Sequence, residues 1–111
     1  MLRRLLPLTL AVCLLAPATA SAERYLTRSE AERATKQAAY NRYDIMRPVG
    51  AYCVLPGGRE PDPDYAYKRW TCGWAAESGY SYEQCGGVLR ILGARGWGSY
   101  RWSVIRGMRC D

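Results

Sequence analysis

The chain has 111 residues, a formal charge of +6, five cysteines and no histidine. Nine tyrosines and four tryptophans stand against no phenylalanine. This length holds one domain, and the lack of histidine removes the commonest general base and the commonest metal ligand.

Arg3 and Arg4 open the chain, residues 5–16 form an apolar run broken only by Pro7 and Thr9, and small residues follow from Ala18 to Ala22. This is the three-part layout of a cleavable secretory signal. The run is shorter than the roughly 20 apolar residues of a membrane span, so no transmembrane anchor is expected. Two A-x-A frames, Ala18-Thr19-Ala20 and Ala20-Ser21-Ala22, compete for the cut. The second is preferred because polar sequence begins at Glu23. Leu10-Ala11-Val12-Cys13 faintly resembles a lipoprotein box, but the apolar run continues past Cys13, which argues against lipidation. The mature protein is therefore expected to be residues 23–111, secreted or periplasmic.

Loss of Arg3 and Arg4 takes the charge from +6 to +4. Basic and acidic groups cancel over residues 23–87, whereas Arg90, Arg95, Arg101, Arg106 and Arg109 face Asp111 alone over residues 88–111. Cys13 leaves with the signal. Cys53, Cys72, Cys85 and Cys110 remain, and an even number in a small exported chain reads as two disulfides. No Cys-x-x-Cys pair is present, so a metal site is not expected.

Thr27 and Glu30 have capping-box spacing, with Leu26 and Ala31 at the staple positions. A helix should run from there to about Tyr43, with Ala31, Ala34 and Ala38 on one stripe, Tyr40 nearby, and an i,i+4 pair between Glu32 and Lys36. Pro48 ends it by forcing Arg47 towards extended geometry. Residues 49–55 read as a short strand, 56–64 as a loop, and 65–74 as an aromatic alternating strand. Glu77-Ser78-Gly79 reads as a turn. Residues 81–93 fit either a helix or a strand, and Gly86-Gly87 in a helix interior favours the strand. Residues 100–110 alternate best of all. Tyr100, Trp102, Val104, Arg106, Met108 and Cys110 fall on one face, and Arg101, Ser103 and Arg109 on the other, the pattern of a half-covered sheet.

The expected fold is α+β: one N-terminal helix on a four-stranded antiparallel meander tied by two disulfides. A hairpin turning at Ser78–Gly79 sets Cys72 opposite Cys85, leaving Cys53 with Cys110, one of three possible connectivities. In a flat meander Cys53 and Cys110 stand on opposite edges, so this pairing needs a curled sheet. The layout broadly resembles the helix-on-sheet modules of cystatin-type and β-lactamase-inhibitor-type proteins. No inhibitor motif is matched residue by residue, so no functional residue carries over.

Catalytic signals are weak. There is no Gly-x-Ser-x-Gly elbow, and the glycine clusters lack the Lys-Ser/Thr of a phosphate cradle. Glu77 and Glu83 are a conceivable carboxylate pair, but two carboxylates near a turn are ordinarily solvated. Glu60, Asp62 and Asp64 alternate in a proline-stiffened loop without the later bidentate Glu of a calcium loop. No catalytic residue, cofactor or metal is assigned. The candidate binding surface is Arg90, Arg95, Trp97, Arg101 and Arg109, for arginine beside aromatic rings suits interfaces and anionic polymers. Such charge also serves solubility and guards strand edges. The expected function is a non-catalytic binding or inhibitory module outside the cytoplasm, with an acidic protein or an anionic envelope polymer as partner rather than nucleic acid. The alternatives are a small carboxylate hydrolase and a purely structural envelope protein.

Overall fold

The computed structural model describes residues 24–96 and 99–111. The expected signal segment, residues 1–22, and Trp97 lie outside the described residues. Helix α1 spans Arg28–Arg42, and strands β1 to β4 span Gly50–Val54, Arg69–Glu77, Gln84–Gly93 and Tyr100–Cys110. The strands form one antiparallel sheet in the order β1-β2-β3-β4, with α1 across one face. This is the expected α+β meander, and residues 84–93 are strand.

The start of α1 follows from its sequence. Thr27 and Glu30 form the capping box in both directions, and Leu26 and Ala31 are buried around it. The buried stripe is Ala31, Ala34, Thr35, Ala38 and Ala39. Small side chains let the helix axis approach the sheet closely. Tyr40 is exposed rather than part of that stripe. Glu32 lies 3.8 Å from Arg28 and accepts the Cys53 N–H at 3.1 Å. It thus faces β1 and not its expected partner Lys36.

The covered face of the sheet carries Trp70, Cys72, Trp74 and Ala76 from β2 and Cys85, Leu89 and Ile91 from β3, all buried. Trp70 is the largest fully buried side chain. Its Nε1 donates to the carbonyls of Leu26 (3.1 Å) and Tyr67 (3.2 Å). Leu26 and Tyr67 form an isolated bridge, which takes up the start of the strand expected from residue 65. Trp74 stacks on Tyr43 with centroids 5.2 Å apart. Its indole lies over Gly87, where a Cβ would stand 2.8 Å from Nε1. Glycine is required there by close approach, not by backbone angle.

Two expectations change. The disulfides join Cys53 to Cys72 and Cys85 to Cys110, not Cys72 to Cys85 and Cys53 to Cys110. Each links residues directly opposite on neighbouring strands, with Cα atoms 4.1 and 4.0 Å apart, the close spacing of non-hydrogen-bonded pairs. The cause is the β2–β3 turn. It is longer than Ser78–Gly79: the Ser78 N–H donates to the Glu83 carbonyl, and the Ser78 Oγ accepts from the Tyr80 N–H. The register therefore sets Cys72 opposite Leu89 and Cys85 opposite Ala76.

The second change concerns β4. The helix packs over β1, β2 and part of β3, and meets β4 at its start, where the Tyr100 hydroxyl donates to Gln37. The expected apolar face of β4 is thus largely uncovered: Trp102 is 37 % and Val104 41 % exposed. Register shifts break its alternation on either side of Val88. Val104 faces Leu89 and Arg106 faces Val88, so Ile105 is an extra residue. That bulge moves Arg106 to the helix-free face, away from the apolar set in which strict alternation placed it.

Candidate functional site

On the helix-free face the register sets residues in rows. Val54, Thr71, Arg90 and Ser103 form one row, Tyr52, Gly73, Val88 and Arg106 the next, and Gly50, Ala75, Gly86 and Arg109 a third. Arg69, Leu92 and Arg101 make a further row at one end. Small residues in the middle strands leave an open trough of about 670 Å³, lined on one side by Tyr52 and Val54 and on the other by Arg106 and Arg109.

Of the expected surface residues, Arg90, Arg101 and Arg109 share this face and are exposed. Arg95 is exposed in the β3–β4 turn, and Trp97 lies outside the described residues. The bulge adds Arg106, and β2 adds Arg69. Among the described residues, Arg90, Arg101, Arg106 and Arg109 make no ion pair. Their mutual repulsion is left for solvent ions or a bound anion to offset. An arginine fork matches carboxylate, sulfate or phosphate oxygens two at a time.

Beyond the Tyr52 wall the charges are paired. Arg28 donates to Glu60 at 2.9 Å, the Tyr52 hydroxyl donates to the other Glu60 oxygen at 2.7 Å, and the guanidinium lies 4.5 Å from the Tyr52 ring centre. The hydrogen bond from Tyr52, then that from Arg28, holds the Glu60 carboxyl below its usual range. The bond to Glu60 raises the Tyr52 phenol above its usual range. Burial raises Tyr100 likewise.

Two pH effects follow. Glu60 contributes stability that is present above its unfolded value and lost as pH falls through its lower folded value. Tyr52 contributes stability that is present below its unfolded value and lost as pH rises through its higher folded value. Ultraviolet titration of the native protein should show Tyr52 and Tyr100 ionising above the ordinary phenol range, and Glu60→Gln should move Tyr52 down while leaving Tyr100 raised. An unchanged curve in Glu60→Gln would refute the contact.

Glu60 is engaged by Tyr52 and Arg28, and Asp62 accepts from the Asp64 N–H. Glu77 and Glu83 are exposed on either side of the β2–β3 turn. Among the described residues no group of three His, Cys, Asp or Glu side chains is placed to hold a metal, and no helix is long and apolar enough to cross a membrane.

A second basic groove has no signal in the sequence, because it forms between α1 and the segment that follows it. It has about 600 Å³ between α1 and residues 47–49, lined by Arg33, Lys36, Tyr40 and Arg47 among others. Arg47 stacks 4.3 Å from the Tyr40 ring centre, so one of its cations is already engaged. The sheet face gathers more unpaired arginines on a more regular frame. No protein-family model matches the chain, and no curated protein sequence or solved structure matches it either.

Proposed function

We propose that the chain is a non-catalytic binding or inhibitory module acting outside the cytoplasm, exported by a signal at residues 1–22, and that its helix-free sheet face holds an anionic partner. Two disulfides suit an oxidising compartment. The observation that carries the reading is the set of Arg90, Arg101, Arg106 and Arg109 on one face, without an ion pair among the described residues. The small-residue trough beside them gives a partner room to approach the backbone. The sheet fixes the backbone spacing of these arginines, and their exposed side chains order on binding.

The test is charge reversal against a matched control. Labelled decaglutamate should bind the wild type and weaken with added salt. Arg101→Glu with Arg109→Glu should weaken it by about tenfold or more, whereas Arg33→Glu with Lys36→Glu in the helix groove should change it by less than about threefold. Equal loss in both variants would mean diffuse attraction to a basic protein. No loss in the β4 variant would remove this face as the site.

A further inference from the structure

The two edges of the sheet are treated differently. At β1, five residues long, the helix occupies the free edge: Glu32 accepts the Cys53 N–H at 3.1 Å and Arg28 Nε donates to the Cys53 carbonyl at 2.8 Å. Those are the groups that a non-hydrogen-bonded pair turns away from its neighbour. At β4, eleven residues long, no described residue pairs with the outer edge. Its residues 100–104 keep regular register with β3. The same stretch shows Trp102 and Val104 on one face and Arg101 and Ser103 on the other, with Arg106 and Arg109 further along. An edge of this kind ordinarily carries a device against pairing. Here the bulges come after residue 104, and the regular part is left open.

We propose that β4 is a docking edge for an extended, acidic segment of a partner protein, which adds to the sheet as a fifth strand. This rests on the arginine face as the anion-binding surface and goes beyond it by naming the partner as a polypeptide. Backbone hydrogen bonds to the β4 edge supply the pairing. Alternate side chains of the segment supply the choice: carboxylates fall beside Arg101 and Arg106 on the helix-free face, and apolar groups fall beside Trp102 and Val104 on the other. A polysaccharide would use the arginines but has no matching ladder for the backbone or for Trp102 and Val104. A second copy of the chain, paired β4 to β4, would set two rows of arginines side by side on one face, and like charges across strands repel.

The test uses four probes on the disulfide-bonded protein: a labelled peptide alternating Glu and Val, the same peptide N-methylated at alternate residues, decaglutamate, and dextran sulfate. The alternating peptide should bind about tenfold more tightly than decaglutamate, and N-methylation should remove that advantage. At saturation, amide exchange within residues 100–110 should slow by about tenfold or more with the alternating peptide and not with dextran sulfate. Val104→Lys adds positive charge on an exposed site but removes the apolar contact. Edge docking predicts weaker binding of the alternating peptide, and charge attraction alone predicts stronger. Equal binding of the N-methylated peptide, or equal slowing by dextran sulfate, overturns edge docking while leaving the arginine face standing. Failure of all four probes to bind overturns both. A sedimenting dimer whose β4 amides are protected without peptide overturns the proposal in favour of self-pairing.

Discussion

Alanine at both Cys53 and Cys72 is expected to cost about 3 kcal/mol by loop-closure entropy, for a bridge that spans 19 residues of sequence. For a domain of this size that lowers the melting temperature by roughly 12–24 °C. Both sulfurs lie in the core with no exposure, so the lost packing adds to the entropic term. The Cys85–Cys110 bridge spans 25 residues, and its removal should cost about 3.5 kcal/mol on the same basis. That bridge anchors the end of β4 to β3, so its loss should free the arginine-bearing edge first. Complete reduction then removes a large part of a total near 5–15 kcal/mol. Urea unfolding of the two double-alanine variants measures both costs. A loss below about 1 kcal/mol in each would mean that the core holds without its bridges.

The pairing itself is open to direct reading. Chymotryptic cuts at Trp74, Tyr80 and Tyr82 separate Cys72 from Cys85. A non-reduced digest should join the Cys53 peptide to the Cys72 peptide. A Cys72–Cys85 link would contradict the register.

The second large effect is at Trp70. Trp70→Ala should destabilise by about 3–5 kcal/mol, through lost burial and the cavity left behind. The indole has no exposure, sits edge-on to Tyr67 with centroids 5.6 Å apart, and bonds two carbonyls. Trp70→Phe separates the two contributions. The Leu26 carbonyl also accepts the Tyr67 N–H at 2.8 Å, so it keeps a partner when the indole N–H is gone. The donor itself is therefore expected to contribute only about 1 kcal/mol, and the rest of the alanine effect belongs to volume. Equal losses in the two variants would mean that the hydrogen bonds, and not the packing, fasten the residue.

Much of this fold is legible where the chemistry is local. Thr27 and Glu30 mark the helix start because a cap satisfies backbone groups within one turn. Gly86-Gly87 marks strand over helix because a helix interior penalises both. The register of the second hairpin was not legible. It depends on Ser78 bonding around a wider turn and on Tyr82 at a φ of 60°, a conformation the residue type does not advertise. The wider turn shifts the register and with it both disulfides. Arg106 was missed for a similar reason, since a one-residue bulge reverses the face of a side chain and leaves no mark in the alternation itself. Four of the five expected surface residues are described, and Arg90, Arg101 and Arg109 do share a face. Arg109 returns to the face of Arg101 because a second register shift, between Arg106 and Arg109, restores what the bulge at Ile105 reverses. That α1 would leave most of β4 uncovered is not legible, because helix placement depends on the whole sheet.

The arginine face is tested most directly by following the arginine Nε–H signals in nuclear magnetic resonance while decaglutamate is added to labelled protein. The expected result is that Arg90, Arg101, Arg106 and Arg109 move together, with one apparent affinity, while Arg33 and Arg42 on the helix stay in place. Movement centred on Arg33 and Arg47, with the β4 arginines unmoved, would contradict it and transfer the site to the groove beside the helix.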